Sequence, residues 1–297
     1  MVKKIFSFAI SFLALHYSIV FLMPPNWLGH PQNTLQSNLI SAEKMLFTEQ
    51  YFDNIIVGSS LAYNMDRKQL DSTWFNLSFP GQSIFEGLSI IQAMEYKPKT
   101  IYIEINVLLR QGDLFFHHSL FNPITYPFKK HLSILKESQQ PVSLIGDPIE
   151  YHIIRKLISE KEAPFDESIS KEKLKNKLIQ QMLKEHQQIH SNEIKSQIFE
   201  LKRFIRELTD QRIRIVFFEM PVAKELCNSP KSKTIRNSIK KAFPEYMFIQ
   251  QPSCGEFLTS DGIHLDQNSG TKFTTYFLKE IEELDTFKLK TFIPNVF

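Results

Sequence analysis

Asn54-Ile55-Ile56-Val57-Gly58-Ser59-Ser60-Leu61 is the stretch that decides the fold. Ile55-Ile56-Val57 is a short apolar run without polar alternation and reads as a buried strand, and Gly58-Ser59-Ser60 reads as the tight turn that ends it. Working outward, residues 73–77 read as a second short strand ending at Ser78-Phe79-Pro80-Gly81. A helical stretch over 83–96 is broken by Lys97-Pro98-Lys99, and residues 100–106 form the third strand. Further along, 171–208 is strongly helical with a break near His190-Ser191-Asn192. Residues 212–220 and 246–249 read as the fourth and fifth strands, and 268–284 as a final helix with Phe273, Phe277, Ile281 and Leu284 on one face. Strands alternating with helices imply βαβ units, hence an α/β fold with a parallel five-stranded sheet in a three-layer α/β/α sandwich.

The chain has 297 residues, 42% of them apolar and 23% charged, which is ample material for a packed core and excludes disorder over most of its length. Phe occurs 26 times against 9 Gly, so neither a collagen-like nor a glycine-rich repeat reading fits. Net charge is +3, from 35 basic and 32 acidic residues, with no basic stripe interleaved with aromatics, so no nucleic-acid partner is expected. Two cysteines, Cys227 and Cys254, exclude a disulfide scaffold and a cysteine-rich zinc site.

Val2-Lys3-Lys4 precedes a 19-residue run, 5–23, that carries no charged side chain. As a helix it would span about 28 Å, the thickness of a bilayer's hydrocarbon core. The two lysines should stay cytoplasmic, placing the rest across the membrane. A cleaved signal peptide and a retained signal anchor are both open. Leu22-Met23-Pro24-Pro25-Asn26-Trp27 lacks the small residues of a cleavage site, which favours the anchor. Residues 1–23 are then a transmembrane helix, 24–50 a juxtamembrane linker leading into a short helix, and 51–297 an extracytoplasmic domain with a proline-rich, partly helical insertion at about 109–208. Outside the cytoplasm Cys227 and Cys254 can pair, and their positions after the fourth and fifth strands put them near one sheet edge. Pairing is expected, with two free buried thiols as the alternative.

Two blocks carry chemistry. Ser60 follows the first strand, where open α/β sheets bind ligands and where helix-start N–H groups can hold an oxyanion. Alone, a strand-Gly-Ser-Ser turn is as readily a plain helix cap. Ser260-Asp261-Gly262-Ile263-His264-Leu265-Asp266 precedes the last helix. There Asp261 can accept a hydrogen bond from one His264 nitrogen and leave the other to act as a base on a hydroxyl.

Taken together, Gly58-Ser59-Ser60-Leu61 and Asp261-Gly262-Ile263-His264-Leu265 resemble the opening Gly-Asp-Ser-Leu and closing Asp-x-x-His blocks of the SGNH, or GDSL-like, hydrolase superfamily over about residues 51–285. The resemblance implies a flavodoxin-like strand order and a catalytic triad of Ser60, His264 and Asp261. It also implies an oxyanion hole from the Ser60 and Gly81 N–H groups and the Asn106 amide. The third block departs from the family's Gly-x-Asn-Asp, reading Glu104-Ile105-Asn106-Val107, and leaves open a structural asparagine that bonds loop backbone. Ser59 in place of Asp is similar to membrane-tethered relatives that acylate envelope polymers. The resemblance therefore implies an extracytoplasmic serine esterase or O-acyltransferase acting on acyl esters of a cell-envelope glycan. A membrane-bound O-acyltransferase would be the donor partner, and no metal or organic cofactor would be needed. A catalytically silent glycan-binding protein of the same fold is the alternative. His117-His118 reads as a surface loop, Glu104 and Glu219 as structural residues near the site with tuning of it as the alternative, and Lys171 to Lys184 as a solvated basic helix face.

Overall fold

The computed structural model describes residues 2–22, 31, 33–140, 167–187 and 189–291. The chain divides into two compact units, Met1–Thr48 with Leu114–Phe165, and Glu49–Asp113 with Asp166–Phe297. The insertion expected at 109–208 is thus shared between them, its first part grouping with the N-terminal segment.

The larger unit holds a five-stranded, wholly parallel sheet: β1 (Asn54–Gly58), β2 (Trp74–Ser78), β3 (Thr100–Glu104), β4 (Arg214–Phe218) and β5 (Met247–Phe248). The spatial order β2-β1-β3-β4-β5 is the flavodoxin-like one. Its registers pair Gly58 with Ser78 and Glu104 with Phe218, so the carboxyl ends of β1 to β4 lie along one rim of the sheet. The order in which strands are added reverses between β1 and β3, with β2 on one side and β3 to β5 on the other, and this is the switch point at which such sheets open a ligand crevice.

Alternating side chains supply the two faces. Ile56, Tyr102, Val216 and Phe218 point to one side, where they meet Phe273, Phe277 and Ile281 of the last helix, here α11 (Gln267–Thr291). Phe277 is fully buried, with its ring 5.4 Å from Tyr102 and 5.0 Å from Phe218. Burying one such side chain is worth about 1.5–3 kcal/mol, which is why the aromatic stripe rather than helix propensity docks α11. The opposite face is covered by α4 (Ile84–Ala93), which packs on β1 and β2, and by α8 (Ser191–Asp210), which packs on α4 and β4. Gly87 lets α4 approach closely, because a Cβ there would sit 2.7 Å from Val57 Cγ1. Ser83 and Glu86 close a capping box that fixes where α4 begins. The remaining helices of this unit are α3 (Ser60–Tyr63), α7 (Glu167–Glu185), α9 (Lys224–Cys227) and α10 (Pro230–Ala242). The helices α7 and α8 stand on either side of the break expected near His190.

The smaller unit holds α1 (Val2–Leu22), α2 (Thr34–Leu46), α5 (Leu114–Leu120) and α6 (Tyr126–Lys129). The short helix expected before residue 50 is α2, which buries Leu39, Ala42 and Met45. Glu43 and Lys129 form a buried ion pair at 2.6 Å, and the Glu137 N–H also donates to Glu43 at 2.6 Å. Burial pushes the Glu43 carboxyl up, and Lys129 and that N–H only partly offset it. Lys3–Leu22 is long and apolar enough to cross a membrane.

Candidate active site

Local sequence builds the first half of the site. Gly58 ends β1 because no side chain fits: a Cβ would lie 2.6 Å from Glu104 Oε2 and 2.7 Å from the Ala62 Cβ. Ser59 is extended and caps α3, its Oγ accepting from the Leu61 N–H at 3.2 Å. Ser60 is the first residue of that helix and half-buried, so its hydroxyl reaches the rim of the sheet while first-turn N–H groups lack acceptors within the helix.

The second half is a tight turn before α11. Thr259 and Leu265 form an antiparallel bridge, and the Ser260 N–H donates to His264 O at 2.8 Å. Gly262 turns the chain at φ +97°, a left-handed conformation that other residues rarely adopt. Asp261 Oδ1 accepts from the N–H groups of Ile263 (3.1 Å) and His264 (2.9 Å), and its Oδ2 lies 2.7 Å from His264 Nδ1. On the far side of the ring, His264 Nε2 lies 2.8 Å from Ser60 Oγ. Residues 204 positions apart thus form one continuous hydrogen-bonded line. Burial works to raise the Asp261 carboxyl, yet the three donated hydrogen bonds win and hold it below its ordinary value. An ionised Asp261 can only accept, so Nδ1 carries the ring proton and Nε2 presents its lone pair to the Ser60 hydroxyl.

Beneath Ser60 lies Glu104, fully buried at the end of β3. It accepts from the Ser59 N–H (2.8 Å), the Ser59 hydroxyl (3.1 Å) and the Ala62 N–H (3.3 Å), gripping the turn that carries Ser60. Burial raises its carboxyl, with those donors and the Arg110 charge opposing.

Of the expected oxyanion donors, Gly81 sits exposed in the turn after β2 with φ +81°. Asn106 takes the structural arrangement that its departure from the family pattern left open. Its Oδ1 accepts from the Met220 N–H at 2.7 Å and its Nδ2 donates to Met220 O at 3.0 Å, tying the chain after β3 to the chain after β4. One amide hydrogen remains for any other acceptor. Glu219 is likewise structural, gripping Arg236 through two 2.8 Å bonds. His117 and His118 stand on the helix α5 rather than in a loop, and the His117 ring is tilted against Phe121 with centroids 4.8 Å apart. Among the described residues no group of three His, Cys, Asp or Glu is placed to hold a metal ion.

A cleft of about 500 Å³ opens beside the triad, lined by Leu61, Asn106, Arg110, Lys184, Val222 and Ile263 among others. It therefore borders both the Ser60 and the His264 segments and is walled in part by α7. Near it, Cys227 and Cys254 form a disulfide with Cα atoms 5.8 Å apart. The segment leading to Cys227 is bonded to the base's turn, the Ala223 N–H donating to Gly262 O at 2.8 Å.

No family model matches this chain, and no curated protein matches it. Among solved structures it is similar to one described as "a putative platelet activating factor from Streptococcus pneumonia", at 12% identity and a TM-score of 0.43 over 92% of this chain and 98% of that one.

Proposed function

We propose that this chain is a serine esterase or O-acyltransferase that works through Ser60, His264 and Asp261. The observation that carries the reading is the unbroken line Asp261–His264–Ser60 at 2.7 and 2.8 Å, with the serine at a helix start on the rim of a parallel sheet. His264 Nε2 takes the Ser60 proton as Oγ attacks the carbonyl carbon of an acyl ester. The tetrahedral oxyanion is met by the Ser60 and Gly81 N–H groups and the remaining Asn106 amide hydrogen, each such donor being worth about 3 kcal/mol. The imidazolium then gives its proton to the leaving alcohol, and the acyl-Ser60 intermediate is resolved by water or by an acceptor hydroxyl. The cleft, lined by polar and apolar side chains alike, suits an acceptor such as an envelope glycan, with α1 as a retained anchor that holds the domain outside the cytoplasm.

A fluorophosphonate probe tests the chemistry. The full-length protein should be labelled covalently, and Ser60→Ala and His264→Ala should lose the label while keeping their unfolding midpoint. Folded wild-type protein that resists labelling would leave only the glycan-binding reading.

A further inference from the structure

The smaller unit carries an unusual surface. Twelve large hydrophobic side chains outside α1 are exposed among the described residues. Five of them fall within 19 positions: Leu114 (75% exposed), Phe115 (65%), Ile124 (75%), Phe128 (55%) and Leu132 (49%). The other seven are scattered from Tyr51 to Leu258 in the larger unit. Soluble surfaces tolerate single exposed side chains, but not such a concentration without a covering partner.

Charge is distributed the same way. No Asp or Glu occurs between residues 114 and 136, a stretch that holds Lys129, Lys130 and Lys136. Across the described part of this unit the only acids are Glu43 and Glu137, against Lys44, Lys129, Lys130 and Lys136 outside α1. Glu43 is buried on Lys129, so it offers no negative charge to the surroundings. Exposed aromatic and aliphatic groups mixed with lysines, and free of carboxylates, are what an anionic lipid surface selects.

The position of α1 bears on what covers the patch. His16 Nε2 lies 3.0 Å from Gln139 O, and Val20 is buried although its neighbours along α1 are exposed. His16 stands six residues before the end of α1, a rise of about 9 Å. With α1 spanning the bilayer, the chain near Gln139 stands about 9 Å below the headgroup–acyl boundary, within the roughly 5–10 Å that interfacial segments penetrate. The segment leading to it, with its exposed Ile124, Phe128 and Leu132, belongs to the same compact unit.

We infer that residues 114–136 form a second membrane contact, lying in the interfacial layer of an anionic bilayer and seating the unit that carries α1. The inference rests on the reading of α1 as an anchor. The occupant is lipid: the apolar side chains enter the acyl boundary while Lys130 and Lys136 stay among the headgroup phosphates.

The test uses the full chain in vesicles of phosphatidylcholine and phosphatidylglycerol. An environment-sensitive maleimide is placed at Ile124→Cys or Phe128→Cys, and at Phe199→Cys or Leu258→Cys as water-facing references. The native cysteines stay in their disulfide and do not react. A lipid spin-labelled near its headgroup should extinguish the emission at 124 and 128 and not at 199 or 258, whereas aqueous iodide should do the reverse. Equal iodide quenching at all four sites, in protein that still floats with the vesicles, overturns the second contact and leaves the anchor standing. Protein that does not float with the vesicles overturns the anchor and this inference with it. Labels open to iodide in lipid vesicles but shielded in membranes of the source cells assign the patch to a protein partner, which also overturns it.

Discussion

Replacing Asp261 separates two roles that its carboxylate plays at once. Oδ1 holds the turn through two backbone N–H groups, and Oδ2 fixes the His264 ring. Asp261→Asn keeps the shape. Its amide has one acceptor end, and two backbone donors compete with one ring donor for it. Leaving a buried donor unmet costs about 1–3 kcal/mol, so the orientation that satisfies two donors is preferred. The NH₂ end then faces Nδ1, which must accept, and the ring proton moves to Nε2, 2.8 Å from Ser60 Oγ. A protonated Nε2 cannot take the serine proton, and a wrong tautomer of this kind costs about 10⁴-fold in kcat. Asp261→Ala removes the tautomer conflict along with the carboxylate. It forfeits one charge-assisted hydrogen bond on the ring, about 1.5–3 kcal/mol, and hence roughly 10- to 150-fold in rate. It also frees two backbone donors and lowers stability. The isosteric variant should therefore be the slower enzyme and the more stable protein. Turnover of p-nitrophenyl acetate, the rate of fluorophosphonate labelling and the urea midpoint read the two effects apart. An Asn variant that keeps more than about a tenth of wild-type turnover, beside an inactive Ala variant, would show that the carboxylate serves only the turn and would refute the tautomer argument.

Glu104→Ala should cost several kcal/mol, since it strands the Ser59 N–H, the Ser59 hydroxyl and the Ala62 N–H in a buried site at about 1–3 kcal/mol each, and turnover should fall with it. Because burial raises the folded-state pKa of Glu104, the folded protein holds that proton more tightly than the unfolded chain. Its contribution to stability is therefore greatest below the unfolded value, about 4.3, and is lost as pH rises toward the folded-state value. Glu104→Gln should flatten that part of a urea-midpoint profile against pH. Reducing the Cys227–Cys254 disulfide, which spans 27 residues, should lower stability by about 3.5 kcal/mol by loop-closure entropy, measurable as the shift in midpoint with and without reductant.

What the sequence made legible was local. Ile55-Ile56-Val57 announces a buried strand by composition alone, and the Phe273, Phe277 and Ile281 spacing announces the face on which α11 docks. Asp261, Gly262 and His264 lie within one turn, so their geometry follows from backbone conformation that residue type already restricts. The unread parts depend on residues brought together from afar. Glu104 meets Ser59 across 45 positions and Asn106 meets Met220 across 114. In each case the partner includes backbone, which leaves no mark on side-chain identity. The Glu43–Lys129 pair, 86 positions apart, is similarly invisible: either residue alone reads as ordinary surface charge. The short helix expected before residue 50 is α2, but its polar residues outnumber the apolar ones that it buries, so composition did not show that Leu39, Ala42 and Met45 would be packed.

The 204-residue gap between Ser60 and His264 also sets an order of events. Contacts this distant in sequence form late, since closing so long a loop costs entropy that only a largely assembled fold repays. The turn bearing Asp261 and His264 emerges among the last segments of the described chain and is positioned only when α11 docks on the sheet. Until then Ser60 is an ordinary alcohol with no base beside it. A chain still being synthesised, or threaded unfolded across a membrane, is consequently inert toward esters, and its reactivity switches on with the final packing step.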